Sequence, residues 1–146
     1  MFSEERNNMI DKFDLDYRFL SNFWLSPVVF EGEVYPSSEH AFQAAKSLDK
    51  SVREQIKGCS TPGKAKRMGA RVELRSDWET IKDDVMLDVL RDKFKDNDLR
   101  ERLIATGTKE LIEGNTWGDK YWGMVAGEGK NMLGKLLMQV RSEINS

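Results

Sequence analysis

Little in this chain invites metal or redox chemistry. Among its 146 residues there is one cysteine, Cys59, and one histidine, His40. A single thiol forms no internal disulfide and no thiolate cluster, and a lone imidazole does not make a multi-histidine zinc site. No calcium loop is recognisable among the carboxylates, so neither a metal nor a cofactor is expected. The glycines form neither a P-loop nor the strand-linked dinucleotide fingerprint. No apolar run approaches the ~20 residues that cross a bilayer, and the acidic, polar N-terminus lacks a signal peptide's basic and apolar regions. A cytoplasmic protein with no membrane partner is therefore expected. Charge of one sign is also missing: 23 basic against 25 acidic residues leave a formal net charge of -2. Such a balance exerts no global pull on a polyanion, although a local basic cluster can still hold a small phosphorylated ligand.

What is present is the mixture of an ordinary globule, 39% apolar and 33% charged. The length suits one domain over residues 1–146, able to bury roughly two thirds of the surface its unfolded chain exposes. No internal repeat, low-complexity tract or linker interrupts it. Val28-Val29-Phe30 and Glu33-Val34-Tyr35 flank Glu31-Gly32, the pattern of a tight hairpin closed by Pro36. From Ser37 or Ser38 a helix is expected, with Glu39, Gln43 and Lys46 on one face and alanines elsewhere allowing close approach. Thr61-Pro62 opens another helix, and Ser76 with Glu79 reads as a capping box before a long amphipathic one. Asn97 or Asp98 is expected to cap a shorter helix through Leu103, and Leu111-Ile112 to be strand-like. Met132, Leu133, Leu136, Leu137, Val140 and Ile144 recur at helical spacing, so the C-terminus is expected to be docked. The fold class is α+β: mainly helical, with a small antiparallel or mixed sheet.

The chemistry concentrates in two places. Between Leu111 and Gly123 lie two carboxylates, an Asn, three aromatic rings and three glycines, poor material for a core and good material for a ligand site. Glu39 and Asp119 are the leading carboxylate pair. A fixed negative charge stabilises the oxocarbenium-like character that develops when a group departs from a sugar's anomeric carbon, and a carboxylate can orient water. Each has a plainer role open to it: Asp119 can hold its own loop, and Glu39, near a helix start, can simply face exposed amides. Glu113 is a second acidic candidate that can instead pin loop amides. Lys46, two helical turns from Glu39, can contact a phosphate or ribose hydroxyl, attack an opened sugar as a neutral amine, or snorkel into water. Asn22 stands among Phe19, Phe23 and Trp24, where an amide can pair with a heterocycle and a ring can stack on it, or the rings can be core. Trp117, Tyr121 and Trp122 are interrupted by polar residues and glycine, which favours ligand proximity. Asn131 can face a pocket or cap the terminal helix. Lys64, Lys66 and Arg67 can take a phosphate or form a solvated face. His40, projecting differently from Glu39, suits packing better than catalysis.

Taken in order, these segments resemble the NADAR family, also called YbiA-like proteins. The resemblance is carried by Phe19-Leu20-Ser21-Asn22-Phe23, by Tyr35-Pro36-Ser37-Ser38-Glu39-His40-Ala41-Phe42-Gln43-Ala44-Ala45-Lys46, and by Lys64 to Gly69. It continues through Leu111 to Asn115, Asp119 to Gly123, and Asn131 to Met138, so that it spans nearly the whole chain. It implies a compact α+β protein that hydrolyses N-glycosidic bonds. The implied substrates are phosphoribosylamino pyrimidines of riboflavin biosynthesis or, in other branches, ADP-ribose on guanine, including ADP-ribosylated nucleic acid. Glu39, Lys46 and Asp119 become the preferred catalytic residues; Asn22, Phe23, Glu113, Trp122 and Asn131 become expected substrate contacts. No metal and no obligate protein partner are implied. Trp117 and Met124 depart from the family's usual late motif and are expected to reshape the substrate rim. A nucleotide- or ADP-ribose-binding module without turnover is the alternative, and a purely structural domain a third reading.

Overall fold

The computed structural model describes residues 8–146, and its chain forms two compact units. One is central in the sequence, Asn22–Lys93; the other joins the segment up to Ser21 to Phe94–Ser146.

The central unit begins with a hairpin of β2 (Leu25–Phe30) and β3 (Glu33–Ser37), paired antiparallel with Val28 opposite Tyr35 and Phe30 opposite Glu33. Glu31 and Gly32 both have positive φ, 48° and 83°, the backbone that a two-residue hairpin turn of matching twist demands. Val28, Phe30 and Tyr35 are buried while Val29 and Val34 face solvent, so the two-residue alternation places one face on the core. Pro36 does not end the strand: β3 runs on to Ser37, whose partner is Leu25.

Four helices complete this unit: α1 (Ser38–Ala45), α2 (Lys50–Lys57), α3 (Pro62–Gly69) and α4 (Trp78–Lys93). Ser37 caps α1 by accepting from the His40 amide, and Thr61 caps α3 by accepting from Lys64. Helix α1 packs against β2, β3 and the other three helices, and every one of its side chains is buried. Ala41, Ala44 and Ala45 permit that crowding. The expected polar stripe of Glu39, Gln43 and Lys46 is therefore an interior feature for its first two members.

Helix starts in this unit differ from the sequence expectation in two ways. Helix α2 was not anticipated, because only Ile56 of its eight residues is buried and the apolar periodicity is nearly silent; Asp49, accepting from the Ser51 amide, supplies its cap. The Ser76–Glu79 capping box does not form, since α4 begins at Trp78 with the Asp77 carbonyl accepting from Ile81. Glu79 binds Lys82 instead, at 2.7 Å.

In the terminal unit, β1 (Met9–Ile10) pairs parallel with β4 (Glu110–Leu111), and the chain also forms a 3-10 turn over Leu15–Leu20. Helix α5 (Asn97–Ala105) packs on α6 (Met132–Asn145), which also meets β4. Asp96, one residue ahead of the expected caps, accepts from the Leu99 amide. Leu133, Leu136, Leu137 and Val140 bury the inward face of α6, as their spacing requires. The fold is α+β and mainly helical, and among the described residues its strands divide between two short pairs, one parallel and one antiparallel. Among the described residues no helix is long and apolar enough to cross a membrane.

Candidate functional site

Asn22, Phe23, Glu39 and Lys46 lie in the central unit. The Asn22 carbonyl accepts from the Glu39 amide at 3.1 Å, and its side-chain oxygen accepts from Ser38 Oγ at 2.9 Å. The Asn22 carboxamide nitrogen points at Met86 Sδ, 3.4 Å away. Asn22 thus ties the chain entering the hairpin to the first turn of α1. Glu39 is 8% exposed, and its Oε2 accepts from Gln43 Nε2 at 2.6 Å, one helical turn along. A buried carboxylate with so short a bond is oriented, and its burial exceeds what a surface acid at a helix start needs.

Lys46 is half-buried at the end of the same face. Burial pushes its ammonium below the ordinary lysine value; the Glu39 carboxylate pulls it back up, and the Lys66 charge lowers it further. Its amine is consequently easier to deprotonate than a surface lysine's, while Glu39 favours the charged form. Lys66, on α3, lies 5.9 Å from the centre of the Phe23 ring. Two lysines within electrostatic reach beside an aromatic face suit an anionic ligand better than an apolar one.

His40 has the packing role expected of it. It is fully buried, with Nδ1 2.7 Å from Ser37 Oγ and Nε2 2.9 Å from the Cys59 carbonyl. A carbonyl only accepts, so Nε2 carries the proton. The central unit also has an open concavity of about 530 Å³ lined by Leu48, Val52, Met68, Arg71 and Leu74 among others, and neither Glu39 nor Lys46 lines it.

Glu113, Asp119, Trp122 and Asn131 lie in the terminal unit, in a loop held by side-chain amides. Asn115 is the hub. Its Nδ2 donates to Glu113 Oε2 and to the Asp119 carbonyl, each at 2.9 Å, and its Oδ1 accepts from the Asp119 amide at 3.1 Å. Asp119 Oδ1 in turn accepts from the amides of Tyr121 at 3.0 Å and Trp122 at 2.9 Å. One carboxylate oxygen is therefore used to shape the loop; among the described residues Oδ2 accepts no hydrogen bond. A Cβ at Gly123 would fall on the Glu113 carboxylate, so the glycine admits that acid into the turn. The Tyr121 and Trp122 rings meet edge to face at 4.9 Å, and Trp117 is largely exposed.

Asn131 does not cap the terminal helix. Its φ is 52°, and its side chain reaches back across the sequence: Oδ1 accepts from the Glu113 amide at 3.0 Å and Nδ2 donates to the Leu111 carbonyl at 2.9 Å. The first amides of α6 are satisfied by loop carbonyls instead, Met132 by Tyr121 and Leu133 by Trp122. Asn131 staples β4 and the late loop to the start of α6.

A family model described as the NADAR domain matches residues 5–145. This chain belongs to the NADAR family. The N-glycosidase YbiA of Escherichia coli (strain K12) is 44% identical over 133 residues, covering 88% of this NADAR chain and 82% of that protein. The N-glycosidase Npun_R5314 of Nostoc punctiforme is 35% identical over 137 residues, covering 89% and 87%. The NMR structure of the E. coli protein YbiA superposes with a TM-score of 0.84 at 41% identity, over 95% of this chain and 86% of that one. That likeness supports an enzyme of the glycosidase type. Two residues that sequence reasoning left without a role are central to this NADAR protein's geometry: Gln43, which holds Glu39, and Asn115, which holds the Asp119 loop. Asn115 directly after Gly114 is a turn-forming pair, the signal that could have found it. For Gln43 only its place on the Glu39 face hinted at a role.

Proposed function

We propose that the protein hydrolyses the C1–N bond joining a phosphorylated or ADP-ribosyl ribose to a heterocycle, most directly a phosphoribosylamino pyrimidine. The observation that carries this reading is the buried, oriented Glu39 carboxylate on one helical face with the destabilised ammonium of Lys46. Family membership and the names of relatives support it. They include a riboflavin biosynthesis protein of Vibrio vulnificus, 36% identical over 135 residues covering 90% of this chain and 36% of that protein.

As the C1–N bond lengthens, positive charge develops on the sugar, and a fixed carboxylate lowers the energy of that state. Glu39 orients the water and takes its proton, the water oxygen bonds to C1, and the base departs with the bond's electron pair; the proton held by Glu39 then passes to the departed nitrogen, which restores the carboxylate. Lys46, with Lys66 nearby, contacts phosphate or ribose. Asn22 and Phe23 flank the same segment as heterocycle contacts. Asp119 is the second proposed carboxylate, with Glu113, Trp122 and Asn131 as proposed substrate contacts in its loop. In a variant of this mechanism the sugar ring opens with C1 still joined to the base nitrogen as an iminium, the neutral Lys46 amine adds to C1, and the base leaves with the C1–N electron pair and a proton from the Lys46 nitrogen; water then hydrolyses the resulting Lys46 imine to the free amine and the sugar aldehyde.

Product analysis against both phosphoribosylamino pyrimidines and ADP-ribosylated guanine DNA tests the reading. Free base should be released by the wild type and lost in Glu39→Gln with folding intact. A borohydride-trapped adduct absent from Lys46→Arg would favour the imine variant. Tight binding of every substrate without product, using fresh protein, would instead establish a non-catalytic binding module.

A further inference from the structure

Granting the hydrolase reading, on which this rests, we propose that Gln43 is the positioning residue of Glu39, clamped from behind by Gly69. Three independent features of the α1–α3 contact converge on it.

Gln43 is 5% exposed and spends its amide nitrogen on Glu39 Oε2, 2.6 Å away. Its carbonyl oxygen, Oε1, is buried and accepts no hydrogen bond among the described residues. Leaving an acceptor unsatisfied in the interior is destabilising, and a protein gains nothing in folding by choosing glutamine over a similarly shaped apolar residue there. The amide also has only one workable orientation. Turning it over would set Oε1 against the Glu39 carboxylate, oxygen against oxygen, so the nitrogen must face the acid.

Gly69, the last residue of α3, lies against the other side of the carboxamide. A Cβ added there would strike Gln43 Oε1 and the amide carbon behind it. Bare backbone at that point is what lets the carboxamide lie between the two helices with its nitrogen aimed at Glu39. The clamp fixes the carboxylate's rotation, while the Asn22 carbonyl fixes the Glu39 backbone through its amide. The result is a carboxylate preset before substrate arrives, on the helical face that ends at Lys46.

Two variants test the role. Gln43→Met keeps the volume and removes both the donor and the orphaned acceptor. Gly69→Ala leaves every side chain of the site chemically intact and displaces only the carboxamide. Each should lower kcat by at least about tenfold while KM stays within about threefold, because a misdirected carboxylate fails in the transition state and not in ground-state binding. Gly69→Ala should lose little further activity, within about threefold, when added to Gln43→Met, since both act on the same contact. The side-chain amide signals of Gln43, assigned by NMR, should be shifted downfield in the wild type and return toward free-amide values in Gly69→Ala. Wild-type kcat in a folded Gln43→Met, or multiplicative losses in the double variant, would overturn the positioning role while leaving hydrolysis standing. A wild type that releases no base would sink the hydrolase reading and the role together.

Discussion

Replacing Asn131 by Ala should be among the most damaging single changes in the terminal unit. The side chain is 4% exposed and satisfies two backbone groups at once, the Glu113 amide and the Leu111 carbonyl. Leu111 is fully buried, so its carbonyl has no water to turn to. Each of the two orphaned groups costs about 1–3 kcal/mol, and Ala at φ 52° adds up to about 1–2 kcal/mol because it lacks the short polar side chain whose local hydrogen bonds let Asn tolerate the left-handed region. The sum, roughly 3–8 kcal/mol, is a large share of the ~5–15 kcal/mol that holds a typical domain together. Urea unfolding followed by tryptophan fluorescence and circular dichroism measures it, and a fall in melting temperature of roughly 10 °C or more should accompany it. Asn131→Gly separates the two contributions, since it keeps the left-handed backbone and loses only the hydrogen bonds. If Asn131→Ala lies within about 1 kcal/mol of the wild type, the staple is not what joins β4 to α6.

Asp119 has two separable roles. Asp119→Asn keeps an oxygen for the Tyr121 and Trp122 amides, so stability should hold within about 1 kcal/mol while base release falls; Asp119→Ala should lose about 2–4 kcal/mol as well. Wild-type turnover in the Asn variant would reduce Asp119 to a loop former. Lys93, 1% exposed, is held by burial at about 7, far below its value of about 10.4 when unfolded. Between those values only the unfolded chain carries the proton, so this group's contribution to stability is present at high pH and is lost as pH falls toward 7. Lys93→Met should therefore stabilise most at pH 6, by roughly 2–4 kcal/mol, with the gain shrinking through pH 8 to 10 in paired urea titrations. A gain independent of pH would refute the assignment. Gly32→Ala, at φ 83° with nothing crowding the missing Cβ, should cost about 1–2 kcal/mol through backbone strain alone, read as a shift in urea midpoint without a change in slope.

Local chemistry was legible in the sequence wherever a few neighbouring residues decide the outcome. Glu31-Gly32 between alternating apolar residues announces its hairpin, Ser37 and Thr61 announce their caps, and the leucine spacing after Asn131 announces a docked helix. Helix α2 was silent because one buried Ile56 makes no periodic pattern, and the Ser76 box lost to a start set by Asp77. The ordered motifs also carried the family, since their residue types and order survive without any knowledge of distance.

Only the folded chain decided what each polar side chain is for. Glu39 reads in sequence either as a reacting carboxylate or as an acid facing the amides of a helix start, and becomes an oriented interior carboxylate because α1 is buried on all sides and Gln43 reaches it. Asn131 reads as a pocket residue or a cap, and its side chain becomes a staple because β4, twenty residues earlier, presents a carbonyl to it. A hydrogen bond depends on where its partner is brought in space, and the burial that gives it weight is set by every element around it; neither quantity is written in the spacing of residues along one chain.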